Sequence, residues 1–102
     1  MQKIIKSKSD VLIQLCKQLK IQRMNVFGSA VSDNFDKDSD IDFLIAFNDD
    51  ISIEDYTENY FTLHYRLREI FDRDIDIVTE RTLSNPYFIK SINKTKEMIY
   101  EG

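Results

Sequence analysis

The chain has 102 residues, of which 42% are hydrophobic and 31% are charged, and its 14 basic and 18 acidic side chains give a formal net charge of −4. This length and apolar content suffice for one core without disulfides, which excludes whole-chain disorder and predicts a single domain over residues 1–102. The acidic balance also excludes bulk binding of nucleic acid by phosphate neutralisation, because that requires a surplus of Lys and Arg.

Cysteine usage and hydropathy indicate the compartment. Cys16 is the single cysteine, so no intramolecular disulfide can form, and no spacing of Cys and His is typical of a zinc site. The longest apolar run, from Phe43 to Phe47, is far shorter than the ~20 residues of a membrane-spanning helix. We therefore expect a cytoplasmic protein with no signal peptide and no membrane segment.

The first half of the chain predicts a helix and two strands. A helix from about Ser9 to Lys20 is predicted, with Ser9 or Asp10 as its cap. The prediction rests on apolar residues at helical spacing, namely Val11, Leu12, Leu15, Cys16 and Leu19. Next, Met24 to Phe27 predicts a short strand that stops at Gly28. After a polar turn, the apolar segment Ile41–Phe47 predicts a second strand.

The second half predicts a long helix, a strand and a last helix. The long helix is predicted by residues at steps of three and four, namely Ile53, Tyr56, Tyr60, Leu63, Leu67 and Ile70. We interpret this stripe as core rather than as a surface for stacking bases, and His64 beside it as an ordinary flanking residue. A short strand then spans Ile75 to Val78, and Pro86 begins a last helix that runs toward Ile99 and Tyr100. The order of elements predicts an α/β domain.

The charges are strongly segregated along the chain. Residues 1–23 carry six basic and one acidic side chain, whereas residues 33–58 carry ten carboxylates and a single Lys. An acidic stretch is most often a solvated surface. Here, however, two of its carboxylates enter a predicted strand.

These strand carboxylates suggest a metal site. Asp40 and Asp42 are two residues apart and project from the same strand face. Parallel carboxylates repel each other unless a cation lies between them, and a hard divalent ion such as Mg²⁺ suits their oxygen ligands. A third carboxylate from a neighbouring strand, Asp76, would complete a two-metal site for phosphoryl or nucleotidyl transfer. Asp74 is the alternative third ligand, but it lies at the mouth of its strand.

A Gly-Ser pair at the end of the first strand supplies the other half of the candidate site. Gly28 lets backbone amides approach a phosphate, and Ser29 adds a hydroxyl donor. Each motif alone carries little weight, but the ten residues between Ser29 and Asp40 place both halves at predicted strand ends. A calcium-binding loop is disfavoured, because Phe43 stands where the tight turn of such a loop needs Gly.

With this spacing, the segment FGSAVSDNFDKDSDIDFLIAF resembles the Gly-Ser-x10-Asp-x-Asp signature of the polymerase β-like nucleotidyltransferase superfamily. From about Val11 to Gly102 the chain resembles its minimal nucleotidyltransferases, which implies a small α/β domain with a mixed sheet flanked by helices. The resemblance also implies transfer of a nucleoside monophosphate, commonly AMP from ATP, to a hydroxyl with two Mg²⁺ ions. It assigns catalysis and metal binding to Asp40, Asp42 and Asp76, and nucleotide binding to Gly28, Ser29 and Ser39. Asp76 would also help to deprotonate the acceptor hydroxyl.

One position departs from the family pattern. Many members have an Arg three residues after the motif Ser, where this chain has Ser32. The contact with the nucleotide that is usually attributed to this Arg must then come from elsewhere, with Lys37 or Arg73 as candidates, or be weakened. This departure keeps open a second hypothesis, in which the chain is a non-catalytic binding subunit that neutralises a partner by contact.

The size of the chain bears on the acceptor. The predicted catalytic core uses nearly all 102 residues, which disfavours a dedicated pocket for a small-molecule acceptor such as an antibiotic. Minimal nucleotidyltransferases often accompany a small helical HEPN protein. The resemblance therefore implies a HEPN toxin as partner, with a Tyr of that toxin as acceptor and this chain as antitoxin. The sequence leaves the base preference and the homo- or hetero-oligomeric state open.

Overall fold

The chain combines helices and strands in a computed structural model that describes residues 1–32, 35–36 and 38–102. In order, the elements are α1 (Lys3–Lys6), α2 (Ser9–Gln18), β1 (Ile21–Phe27), β2 (Ile41–Phe47), α3 (Ile53–Phe71), β3 (Ile75–Thr79), α4 (Pro86–Thr95) and β4 (Glu97–Glu101). Short 3₁₀ turns cover Gly28–Val31 and Glu80–Thr82. Within the described ranges, no helix has the length and apolar character needed to cross a membrane.

The strands form one mixed sheet in the order β3-β2-β1-β4. β1 is antiparallel to both β2 and β4, whereas β2 is parallel to β3. A parallel pair needs a long crossover connection, and α3 supplies it. Because β1 is antiparallel to β2, and β2 is parallel to β3, the carboxyl end of β1 lies at the same edge of the sheet as the amino ends of β2 and β3. The predicted α/β fold, a mixed sheet flanked by helices, is confirmed.

The two faces of the sheet bury separate apolar clusters. The main core lies on the face that includes Phe43 and Ile45, and it contains residues of α1, α2 and α3. Leu44 points to the opposite face, where it packs with Phe27 and with Ile92 of α4. Alternation along β2 therefore divides the molecule into an α1–α3 face and an α4 face.

Helix α3 has clear start and stop signals. The Ser52 hydroxyl accepts a hydrogen bond from the backbone N–H of Asp55 at 3.1 Å, and the helix ends at Asp72 in the left-handed conformation. The predicted core stripe holds for most of its length, since Leu63 and Leu67 are fully buried. It is wrong for Ile53, which is 81% exposed because it is the first residue of the helix and precedes the turns that pack on the sheet.

The prediction that the last helix runs toward Ile99 and Tyr100 is wrong. Helix α4 begins at Pro86 as expected but ends at Thr95, and Lys96 adopts an extended backbone. The following residues form β4, which pairs with β1 along the edge that β2 leaves open. Ile99 and Tyr100 thereby pack against the main core. Sheet hydrogen bonds and burial thus outweigh continuation of the helix.

Smaller differences concern the amino-terminal elements. The short helix α1 was not predicted, and its Ile5 is fully buried in the main core. Helix α2 ends at Gln18 rather than Lys20, because Lys20 has a positive φ of 60° that breaks the helix. Strand β1 begins at Ile21, three residues before the predicted Met24.

Candidate active site

The register of three strands brings both halves of the sequence motif together. Phe27 of β1 is paired with Asp42 of β2, and Asp42 is paired with Asp76 of β3. Gly28 follows β1 directly at this level of the sheet. A motif whose halves are separated by ten residues therefore forms one continuous row across β1, β2 and β3.

Both paired carboxylates belong to the α4 face of the sheet. Asp42 alternates with Phe43, which points into the main core, and shares its face with Leu44 of the α4 cluster. Asp76 likewise shares its face with Val78, which packs on that cluster. The candidate site is therefore the rim of the α4 face where β1 ends and β2 and β3 begin.

Gly28 allows the closest approach in this row. Its φ is +67°, in the left-handed region that favours glycine. A Cβ atom at this position would lie 2.5 Å from Oδ2 of Asp42, which is closer than real Cβ contacts come. Both the backbone conformation and the available space therefore require glycine next to the carboxylate.

The carboxylates of Asp42 and Asp76 are electrostatically coupled. Burial of the Asp42 side chain, the neighbouring charge and hydrogen bond of Asp76, and the charge of Asp40 together raise the pKa of Asp42 to about 6. Asp40 and Asp76 themselves are exposed. A partly buried acid beside a second acid carries an electrostatic penalty when both are ionised, and a bound cation would remove this penalty.

This donor set suits a hard divalent cation such as Mg²⁺, which prefers carboxylate oxygens. The structure joins Asp42 to Asp76 and places Asp40 two residues from Asp42, at the entry to the same strand. Across residues 1–32, 35–36 and 38–102, however, no three acidic, His or Cys side chains are gathered closely enough to hold a metal ion together. Ligand assignments for Asp40, Asp42 and Asp76 thus remain predictions.

The two predicted nucleotide-binding serines have different surroundings. Ser29 lies in the 3₁₀ turn, and its hydroxyl donates to the backbone carbonyl of Asp40 at 3.1 Å, which ties the two motif halves together. Ser39 is engaged within its own loop: its hydroxyl accepts from the backbone N–H of Asp36 at 3.1 Å and lies 3.2 Å from Oδ1 of the same residue. The structure thus brings Ser29 into the row and places Ser39 at its border.

Comparison with known proteins agrees with this geometry. The family model described as Polymerase beta, Nucleotidyltransferase matches residues 10–102. The chain belongs to this nucleotidyltransferase family. The family predicted from the motif spacing is therefore confirmed.

Similar proteins and solved structures support the assignment. Two Methanocaldococcus jannaschii proteins named as candidate protein adenylyltransferases are similar to this chain. MJ0126 is 30% identical over 87 residues, which cover 85% of this chain and 83% of the relative. MJ1379 is 31% identical over 81 residues, which cover 79% of this chain and 77% of the relative. A solved candidate minimal nucleotidyltransferase has a TM-score of 0.70 at 25% identity, covering 91% of this chain and 90% of that one.

Two toxin–antitoxin structures share the fold at lower identity. One, solved with AMP-PNP, has a TM-score of 0.69 at 21% identity and covers 92% of this chain and 73% of that one. The other contains a tri-AMPylated Shewanella oneidensis HEPN toxin in complex with an MNT antitoxin, with a TM-score of 0.64 at 19% identity, and covers 95% of this chain and 72% of that one.

The structure describes Ser32 at the position of the family Arg, and one of the two residues expected to replace that Arg. The hydroxyl of Ser32, which occupies the Arg position, donates to the carbonyl of Ser29 at 3.1 Å and closes the 3₁₀ turn. Lys37 lies outside the described residues. Arg73 donates from Nη1 to the carbonyl oxygens of Asp36 and Ser39. Sequence reasoning did not find this loop contact of Arg73, because it spans more than 30 positions and leaves no local pattern.

The structure also bears on the two other candidate residues of this nucleotidyltransferase. Asp74 lies before β3, its carboxylate is 3.6 Å from the guanidinium of Arg68, and its position is outside the paired row that contains Asp76. His64 is half-buried, and its Nε2 lies 3.0 Å from the carbonyl oxygen of Ile75, so it fastens α3 to the start of β3. The geometry therefore favours Asp76 over Asp74 and assigns His64 a structural contact.

Proposed function

We propose that this protein transfers AMP from ATP, in a Mg²⁺-dependent reaction, to a hydroxyl group of a partner protein. The row formed by Gly28, Asp42 and Asp76 carries the proposal, because it combines a close backbone approach with coupled carboxylates. Membership in the nucleotidyltransferase family and similarity to candidate protein adenylyltransferases support the reaction class. The AMP-PNP-containing neighbour supports an adenine nucleotide.

Each residue of the row has a distinct chemical task in this proposal. The turn at Gly28 and the hydroxyl of Ser29 bind triphosphate oxygens. Asp40, Asp42 and Asp76 would hold Mg²⁺, which when bound neutralises the charge that develops on the phosphates. Asp76, the exposed member of the coupled pair, accepts the proton of the acceptor hydroxyl. The oxygen then forms a bond to the α-phosphorus while the bond to pyrophosphate breaks.

We further propose that the acceptor is a Tyr of a helical HEPN toxin and that the chain acts as its antitoxin. Asp40 and Asp76 are exposed at the rim of the sheet, where a large acceptor has access. An MNT antitoxin with the same fold was solved in complex with a tri-AMPylated Shewanella oneidensis HEPN toxin. The oligomeric state that such a pair would adopt is part of the same proposal.

Transfer of a radiolabel tests this function. The purified chain is incubated with ATP labelled at the α-phosphate, Mg²⁺ and the helical protein encoded beside it, and the label on the partner is measured. We expect labelling that requires Mg²⁺ and that Asp42→Asn abolishes. Asp50→Asn is the matched control, because Asp50 is an exposed residue of the same acidic segment outside the site. Absence of labelling by the wild type, or full labelling by Asp42→Asn, contradicts the proposal.

Ser32 favours one alternative, a non-catalytic antitoxin subunit. The Ser32 hydroxyl closes the turn, and, unlike an Arg side chain, it carries no positive charge that could bind the nucleotide phosphates. A variant with both Asp40→Asn and Asp42→Asn separates the two functions. Full neutralisation of the toxin by this variant supports inhibition by contact, whereas loss of neutralisation with the complex intact supports catalysis.

A further inference from the structure

Arg73 links the connection between α3 and β3 to the loop that precedes β2. Its Nη1 donates to the carbonyl oxygens of Asp36 at 3.0 Å and Ser39 at 2.9 Å. Its guanidinium also lies 4.6 Å from the centre of the Phe35 ring. One side chain thus binds this loop at three residues, 34 to 38 positions before it in the chain.

The loop bound by Arg73 leads directly into the candidate site. Ser39 precedes Asp40, and the carbonyl of Asp40 accepts the hydroxyl of Ser29. On the other side, the backbone N–H of Ile41 donates to the carbonyl of Asp74, the residue after Arg73, at 3.2 Å. The position of Asp40 relative to the row is therefore set between Ser29 and the segment that carries Arg73.

The chemistry of the loop explains why an Arg stands at this position. Asp36 and Asp38 bring negative charge close to Asp40, and these charges favour an expanded loop. The Asp36 carboxylate orders the loop internally by accepting the N–H of Asp38 at 2.8 Å. A guanidinium adds positive charge, several donors and a planar surface for the Phe35 ring, a combination that the ammonium of Lys does not provide.

We propose that Arg73 is a positioning residue that holds the loop through Phe35, Asp36 and Ser39, so that Asp40 is presented beside Asp42 and Ser29. This inference rests on the proposed nucleotidyltransferase function, in which Asp40 contributes to binding of Mg²⁺ and nucleotide. Arg73 is half-buried, its hydrogen bonds go to backbone carbonyls of the loop, and its ring partner Phe35 packs at the edge of the main core. Its loss should therefore affect the loop and ligand binding more than global stability.

Two readouts distinguish positioning from a general structural role. The first is hydrogen exchange of the backbone amides of Asp38 and Ser39, both of which are hydrogen-bonded within the loop. The second is binding of AMP-PNP measured by calorimetry as a function of Mg²⁺ concentration. We expect Arg73→Ala to accelerate exchange at both amides and to raise the Mg²⁺ concentration for half-saturation about 10-fold, the lower end of the usual effect of residues that orient metal ligands.

Two variants complete the experiment. Arg68→Ala is the matched control, because Arg68 is a nearby exposed Arg whose ion pair with Asp74, at 3.6 Å, does not involve the loop. It should leave both readouts unchanged. Arg73→Lys retains the charge without the planar fork and should give intermediate values; it carries the comparison if the Ala variant does not fold.

The outcomes separate this inference from the proposed function. Wild-type exchange rates and an unchanged Mg²⁺ requirement in Arg73→Ala, or in Arg73→Lys if the Ala variant unfolds, overturn the positioning role. If instead the wild-type protein binds no AMP-PNP at any Mg²⁺ concentration, the nucleotidyltransferase proposal and the positioning role both fail. If the wild type binds but transfers no label, only the proposed reaction fails, and the Arg73 comparison still decides the positioning role.

Discussion

Replacement of Gly28 by Ala is the sharpest single perturbation that the structure offers. The added Cβ atom would meet Oδ2 of Asp42 at 2.5 Å, and the backbone would have to keep a φ of +67°. Either the carboxylate moves or the turn at Gly28–Val31 changes its conformation. Both responses disturb the row across β1, β2 and β3 on which the proposed activity depends.

The magnitude follows from three contributions. Holding a residue with a Cβ in the left-handed region costs about 1–2 kcal/mol, and relieving the contact with Asp42 adds on the order of 1 kcal/mol. The lower entropy of the unfolded chain offsets about 0.4–1 kcal/mol. We therefore expect the free energy of unfolding to fall by roughly 1–2.5 kcal/mol and the Tm by roughly 5–15 °C. Transfer should fall on the order of 100-fold, because displacement of a reacting group by about 1 Å has that effect.

Thermal unfolding followed by circular dichroism, together with the labelling assay, measures both effects. The chain contains its own control, since Gly102 is the second of its two glycines. A Cβ there would meet the Tyr100 side chain, whose hydroxyl oxygen lies at 2.7 Å, but Gly102 is exposed, outside the candidate site and without a left-handed φ. Gly102→Ala should leave stability within about 0.5 kcal/mol and transfer unchanged. A Gly28→Ala protein with the Tm and transfer rate of the wild type would refute the geometric argument.

Two further predictions concern the pH dependence and the α4 face. Because the pKa of Asp42 rises from 3.8 to about 6 on folding, the native state holds a proton that the unfolded chain loses between these values. Its ionisation should therefore destabilise the metal-free protein as pH rises from about 4 to 6. After allowance for solvent screening, the Asp42→Asn variant should be about 1–2 kcal/mol more stable than the wild type at pH 7. Equal stability of the two proteins in denaturant titrations at pH 7 argues against this coupling. Ile92→Ala should lower the free energy of unfolding by about 2–4 kcal/mol, because Ile92 is 1% exposed. Ile53→Ala, at an 81% exposed site, should change it by less than about 0.5 kcal/mol. Similar effects of the two substitutions would contradict the observed packing.

Much of the fold can be predicted from local patterns in the sequence. The predicted bounds of β2, Ile41–Phe47, are those of the structure, because a strongly apolar segment between polar turns is typical of a buried strand. Helix α3 likewise follows from its apolar period and extends only one residue beyond the predicted Ile70. The candidate site could also be predicted from the sequence, because the spacing between Gly-Ser and Asp-x-Asp is a property of one contiguous segment.

The remaining features depend on residues that are distant in sequence. Residues 97–101 form a strand only because the edge of β1 is available to them, and this edge lies more than 70 positions earlier in the chain. The role of Arg73 depends on carbonyl groups 34 and 37 positions away. Such partners leave no periodic signal in the segment itself.

The sequence by itself therefore determined the family, the main helices and strands, and the acidic and Gly-Ser residues of the candidate site. Only the tertiary structure decided that Asp42 stands between Gly28 and Asp76, and that the last residues complete the sheet. The physical reason is that periodicity and capping act over a few residues, whereas strand register and burial are fixed when distant segments pack together.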